Sequence, residues 1–196
     1  MARQMALISR WHDDAIRLST RLLAAACFDH RRFVRGGFAI EDDFMSFQSL
    51  NTELTVEVID VLHEFCFVLR KLLERAGLRK LACDMYPHKQ GAMVTIQASG
   101  SVQQRALCDK DLWWILGRVI HSKSVMVAGG DETAMHVYPD GKSRSFDNGR
   151  HYVEVSSDYD SQLGQGHLIH IPSLIRLYTD SVLRVRLDDV VGSNAI

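Results

Sequence analysis

Between about Gln4 and Ala26, the residues Leu7, Trp11, Ala15, Leu18, Leu22 and Ala25 recur at spacings of three and four, the period that lines one face of an α-helix. The pattern returns between about Asn51 and Ala76, where Leu54, Val58, Val61, Leu62, Phe65, Val68, Leu69 and Leu72 form a second stripe. Asn51 reads as the N-cap of this helix. Gly77, which follows Arg70, Lys71 and Arg75, reads as the residue that ends it in a left-handed conformation. At 1.5 Å per residue each helix runs roughly 30 to 40 Å, which suits an antiparallel hairpin.

After Gly77 the period drops from near 3.6 to near 2. Leu81, Cys83 and Met85 alternate, Pro87 to Gly91 supplies a turn, and Val94, Ile96 and Ala98 alternate again, so a β-hairpin is predicted. A middle helix is expected from near Asp109 to about His121, with acidic residues at its positive end. Short strands are predicted at Ser124 to Val127, Ala134 to Tyr138, Ser143 to Phe146 and Arg150 to Val155. Asp140-Gly141 and Asn148-Gly149 serve as turns, and a meander is the simplest topology. Residues 156–166 are almost all Ser, Asp, Gln and Gly, which predicts a mobile loop. Pro172 can open a last helix with Ile175, Tyr178, Val182 and Val185 on one face, while Leu183, Val185 and Leu187 would equally suit a strand.

The expected architecture is therefore α+β: an N-terminal long helix hairpin packed with a mainly antiparallel sheet, plus a middle and a C-terminal helix. No linker or repeat divides the chain, so a single domain is expected over 1–196, with a helical part at 1–78 and a mixed part at 79–196. The segment from Phe28 to Ser49 is unusual because it holds five of the eight phenylalanines. Exposed aromatics are costly, so it is expected to complete the core, or else to present a partner surface.

Composition narrows the function classes. The chain has 196 residues, 46% of them hydrophobic, and 23 basic against 24 acidic residues give a net charge of -1, a balance that excludes both disorder and a global basic field for nucleic acid. No apolar run is long enough for a membrane span, and Met1 to Arg10 lacks the pattern of a secretory signal, so no membrane partner and a cytoplasmic location are expected. Cys27, Cys66, Cys83 and Cys108 are far apart and form no CxxC pair. They are expected to be reduced and mostly buried, with no metal or cofactor implied. The clearest local basic patch is Arg31, Arg32 and Arg35, interleaved with Phe33 and near Phe38. It is followed by Glu41, Asp42 and Asp43, which suggests a self-compensated surface or an interface.

The strongest chemical candidate lies on the middle helix, where Trp114, Arg118 and His121 share one stripe. An arginine can hold a phosphate while an imidazole that titrates near neutral pH moves a proton, as a metal-independent ribonuclease requires. Such a pair on a helix is similar to that of the HEPN family of nucleotide-binding and RNase domains. That resemblance would make Arg118 and His121 catalytic, although only Val119 and Ile120 intervene, fewer residues than in the family motif. The bland alternative has His121 closing the helix and Arg118 lying along the surface.

His12-Asp13 resembles the metal pair of HD-type phosphohydrolases but has no histidine upstream, so it reads as the solvated face of the first helix. His63 and Cys66 read as a hydrogen-bonded core histidine and a buried thiol. His167 and His170 carry little signal, and Gly129-Gly130 reads as a turn.

These readings favour a non-catalytic interaction or regulatory protein of a microbial cytoplasm, a homo-oligomer or one with a protein partner. Ile8, Ile16, Val56 and Phe67, off the main stripes, suggest that further helix faces are covered. The alternatives are a nuclease or nucleotide-processing enzyme using Arg118 and His121, and a nucleic-acid binder using Arg31, Arg32 and Arg35, with Arg184 and Arg186.

Overall fold

The computed structural model describes residues 2–28, 44–86, 93–99, 102–107, 110–128, 134–137, 143–146, 151–163 and 165–185. Its elements are α1 (Ala2–Cys27), α2 (Phe44–Arg75), α3 (Arg79–Cys83), β1 (Met93–Ser99), β2 (Val102–Leu107), α4 (Leu112–Ile120), β3 (Ser124–Ala128), β4 (Ala134–Val137), β5 (Ser143–Phe146), β6 (Tyr152–Ser156), α5 (Asp158–Gln162), β7 (Gln165–His170) and α6 (Ile171–Leu177). A π-helical turn, Tyr178–Val182, prolongs the last helix. The fold is α+β, as the periodicities predict.

The helix hairpin forms from the two predicted stripes. On α1 the buried positions are Ile8, Ala15, Leu18, Leu22, Ala25 and Ala26, so Ile8, not the exposed Leu7, begins the stripe. On α2 the completely enclosed residues include Val58, Leu62, Phe65, Cys66, Leu69, Leu72 and Leu73. Each such aliphatic or aromatic side chain contributes about 1.5–3 kcal/mol by leaving water. Arg21 and Glu57 close the seam between the helices at 2.6 Å.

The end of α2 follows the sequence signal. Gly77 has φ 70°, the Leu78 N–H donates to the Leu73 carbonyl at 2.8 Å, and the Gly77 N–H donates to the Glu74 carbonyl at 3.4 Å. These two bonds satisfy terminal carbonyls and let the chain reverse sharply. The start of α2 differs from expectation. It begins at Phe44, so Asn51 lies inside the helix and not at its cap. An interior Asn costs only some tenths of a kcal/mol, and no Gly or Pro interrupts the segment, so propagation runs past it. Phe44 and Phe47 thus belong to α2, whereas Phe33 and Phe38 lie outside the described residues.

Of the predicted strand 81–85, residues 81–83 are helical and Asp84 follows as a turn. Ala82 and Met85 are buried three positions apart, and that helical spacing wins over the alternation of Leu81, Cys83 and Met85. The Met85 carbonyl then receives the Leu112 N–H at 2.8 Å, which ties this segment to the start of α4.

The five-stranded antiparallel sheet has the order β2-β1-β7-β6-β3, and β4 and β5 pair separately. The strands therefore do not follow one another as a meander. The true partner of β1 is β2 on one side and β7 on the other, with Thr95 opposite both Ala106 and His167. β6 passes over the β4–β5 pair to join β3, aligning Val155 with Val125. Val153, Val155 and Ile169 on one face of the sheet enter the same core as the helices. There Phe65 and Tyr178 meet edge to face, with ring centroids 5.4 Å apart.

The described residues of the polar run, 156–163 and 165–166, are built into helix and strand. Ser157 and Asp160 form a capping box at the head of α5: the Asp160 N–H donates to Ser157 Oγ at 3.2 Å, and the Ser157 N–H donates to Asp160 Oδ2 at 2.8 Å. β7 begins at Gln165. At the C-terminal end Ile175, Tyr178 and Val182 are buried as the helical spacing predicts. Leu183 to Val185 turn and do not form a strand, and residues 186–196, including Arg186, lie outside the described residues.

Candidate functional site

The middle helix α4 starts at Leu112. Asp111 caps it, its carboxylate accepting the Trp114 N–H at 2.7 Å, and His121 is its C-cap. Leu112, Ile115, Leu116 and Val119 occupy its buried face. The remaining positions carry Trp113, Trp114, Gly117, Arg118 and His121 to the outside, where with Arg70 of α2 they line a groove of about 300 Å³. Arg118, His121 and Trp114 thus line the same groove.

The arginines lie against the indoles. The Arg118 Cζ is 4.6 Å from the centre of the Trp114 ring, and Trp113 carries Arg70 at 4.5 Å and Arg79 at 5.0 Å. Arg70 also approaches Glu74 through Nε at 3.7 Å. A Cβ at Gly117 would come within 2.7 Å of Arg70 Nη1, the end of that flexible side chain.

Behind the groove is a polar cluster that the sequence reading did not find. Arg118 Nη1 donates to Ser157 Oγ at 2.7 Å and pairs with Asp160 Oδ2 at 3.0 Å. The Ser157 hydroxyl donates in turn to Asp160 Oδ2 at 2.8 Å. His167, on β7, places Nε2 3.5 Å from Asp160 Oδ1 and packs edge-on against Trp114, with ring centroids 5.0 Å apart.

Asp160 is 3% and His167 6% exposed, so the cluster is held in a poorly hydrated environment. Burial by itself raises the Asp160 carboxyl, but two hydrogen bonds from Ser157 and the charge of Arg118 together hold it below the usual carboxylate range. Burial pushes His167 down, and Arg118 and Lys110 push the same way against the pull of Asp160, so the imidazole is neutral near pH 7.

Ser157, Asp160 and His167 do not form a nucleophilic triad. The serine donates to the carboxylate, whereas a triad requires a base to accept the serine proton. One signal in the sequence could have revealed this cluster: Ser157-Asp158-Tyr159-Asp160 has the S-x-x-D form of a capping box, which argues for an ordered helix start in a run otherwise read as loop.

The other candidates take structural places. His12 lies 4.0 Å from Asp13, and Asp14 pairs with Arg10 and Arg17, a charged helix surface. His63 Nδ1 donates to the Ile59 carbonyl at 3.2 Å, with Nε2 3.3 Å from Ser122 Oγ. Cys66 is fully buried, which pushes its thiol pKa up, whereas Cys27 is exposed, contrary to expectation. His170 Nδ1 lies 2.6 Å from Ser173 Oγ. Arg184 pairs with Asp180 at 3.3 Å. Arg31, Arg32, Arg35, Cys108 and Gly129-Gly130 lie outside the described residues.

Among the described residues no group of three or more His, Cys, Asp or Glu could hold a metal, and no helix is long and apolar enough to cross a membrane. Comparison of the chain with protein-family models, with curated proteins and with solved structures finds no match.

Proposed function

We propose that the protein is a non-catalytic interaction or regulatory protein of a microbial cytoplasm, and that it works as an oligomer through its helix hairpin. The observation that supports this reading is apolar exposure on the hairpin. Ile16 and Leu23, seven positions apart on α1, are 37% and 38% exposed. Val56 and Phe67, eleven positions apart on α2, are 48% and 52% exposed. Both spacings bring the two residues of a pair onto the same helix face, so each helix carries two exposed apolar side chains on one side. Ile8, in contrast, is buried and takes no part.

The pair Arg118 and His121 supports the catalytic alternative less well. Asp160 and Ser157 already engage the Arg118 guanidinium, so its charge is largely balanced before any substrate arrives. Size-exclusion chromatography with light scattering tests the proposal. A dimer or larger assembly at micromolar concentration, dissociated by Phe67→Glu, is expected; a clean monomer would refute it.

A further inference from the structure

We propose that β3 is a docking edge for the β3 of a second copy of the chain. The two strands pair antiparallel about a twofold axis that passes through Met126 perpendicular to the sheet, and two sheets become one. This pairing rests on the oligomer reading for the existence of an assembly and names the strand that joins the copies.

Among the described residues β3 is an end strand of the sheet: β6 occupies one side, and β4 and β5 pair with each other and not with β3. Its other side therefore presents backbone N–H and C=O groups to a further strand. The strand is held firmly, in register with β6 from Ser124 opposite Ser156 to Ala128 opposite Tyr152, and the Lys123 N–H donates to the Ser156 carbonyl at 2.9 Å. Val125 and Val127 pack against the core, while Met126 on the other face is 56% exposed. Edges that are closed to partners usually carry a charge, a proline or a bulge. β2, at the opposite end of the sheet, carries Arg105, whereas Ser-Val-Met-Val-Ala carries no charge and no proline. The flanking cation, Lys123, is paired with Asp158 and so does not repel a second copy.

The sequence of β3 selects a copy of itself. Its centre, Val-Met-Val, reads the same in both directions, so antiparallel pairing about Met126 sets Val125 against the partner's Val127 and Met126 against the partner's Met126. Every valine stays on the helix-covered face, and the two methionines leave water together on the open face. The hairpin surface is continuous with this edge. Val56 and Phe67 lie seven residues before and four after His63 on one face of α2, and His63 Nε2 is 3.3 Å from Ser122 Oγ, two residues ahead of β3. α2 itself packs against β3. Edge pairing thus brings the Val56 and Phe67 side of α2 from each copy toward the same junction, and strand and helix contacts add to one isologous interface.

Light scattering and disulfide trapping of the full chain test the pairing. Met126→Lys sets two ammonium groups against each other at the axis and is expected to raise the dissociation constant of the dimer at least about tenfold. Because Met126 is more than half exposed, the variant should keep the circular dichroism spectrum of wild type. Mild oxidation of Met126→Cys is expected to give a covalent dimer well above the level in wild type. Ser124→Cys should not, because four residues of register hold its two copies about 13 Å apart, beyond the roughly 7 Å between Cα atoms that a disulfide spans. A dimer that Met126→Lys leaves intact and Met126→Cys does not trap would overturn the strand pairing while the hairpin reading stands. Dissociation by Met126→Lys but not by Phe67→Glu would uphold the pairing and overturn the hairpin surface. Equal trapping of Ser124→Cys would overturn the register, and a monomeric wild type would overturn both readings.

Discussion

Replacing Asp160 with Asn removes one charge from the cluster behind the groove and almost nothing of its shape. The carboxylate is 3% exposed, and its Oδ2 accepts the Ser157 N–H and O–H at 2.8 Å each and faces Arg118 Nη1 at 3.0 Å. Removing one partner of a fully buried ion pair costs about 3–5 kcal/mol, because the other charge stays behind unbalanced. Three features reduce the cost here. The Arg118 side chain is 21% exposed and reaches some water, it keeps Trp114 and Ser157, and the Asn oxygen can still accept from Ser157. The expected loss is therefore about 2–3 kcal/mol at pH 7, a large share of the usual stability of one domain.

Urea unfolding of both proteins, followed by circular dichroism, measures the difference. The pH dependence adds a sign. The native Asp160 carboxyl titrates below its ordinary 3.8, so the stability it supplies is fully present above that value and disappears as pH falls through the depressed native value. The gap between wild type and Asp160→Asn should close in that range. His167 is also depressed, so the unfolded chain takes up a proton below about 6.5 while the folded chain resists, and both proteins lose stability on acidification. Without Asp160 to favour the imidazolium, the variant should lose more than wild type between pH 6.5 and 5. A change below about 0.5 kcal/mol at pH 7, or a gap that persists below the carboxylate range, would refute this account of the cluster.

Two further substitutions test other parts of the fold. Tyr178 is completely buried, and its hydroxyl has no hydrogen-bond partner among the described residues, so Tyr178→Phe should be neutral or stabilising by up to about 1 kcal/mol at pH 7. Burial, helped by the charge of Asp13, pushes the phenol up to about 12. Because the unfolded chain ionises near 10, wild type should lose about 2–3 kcal/mol relative to the variant as pH rises from 10 to 12 in denaturant titrations; parallel curves would contradict this. Gly77→Ala places a Cβ at φ 70° and should cost about 1 kcal/mol, seen as a melting temperature about 2–4 °C lower; an unchanged melting point would show that the turn relaxes freely.

Local chemistry made part of this protein legible in its sequence. The apolar stripes of α1 and α2, the left-handed glycine at residue 77 and the buried face of the last helix each depend on neighbours within a few turns. Spacing alone therefore decides them. Arg118 and His121 could be assigned to a common helix stripe for the same reason.

The other parts of the site come from elsewhere in the chain. Arg70 reaches the groove from α2, and Ser157, Asp160 and His167 from the segment that follows β6. That segment looks like loop when read locally, because only the sheet and α4 supply the burial that makes an Asp–Arg–His cluster stable. The strand order depends on the same kind of information. β3 skips the neighbouring β4–β5 pair to join β6, and β7 inserts between β6 and β1. Hydrophobic periodicity specifies which face of an element is buried, but partners distant along the chain are chosen by shape, charge and backbone hydrogen bonding that exist only once the chain has closed on itself.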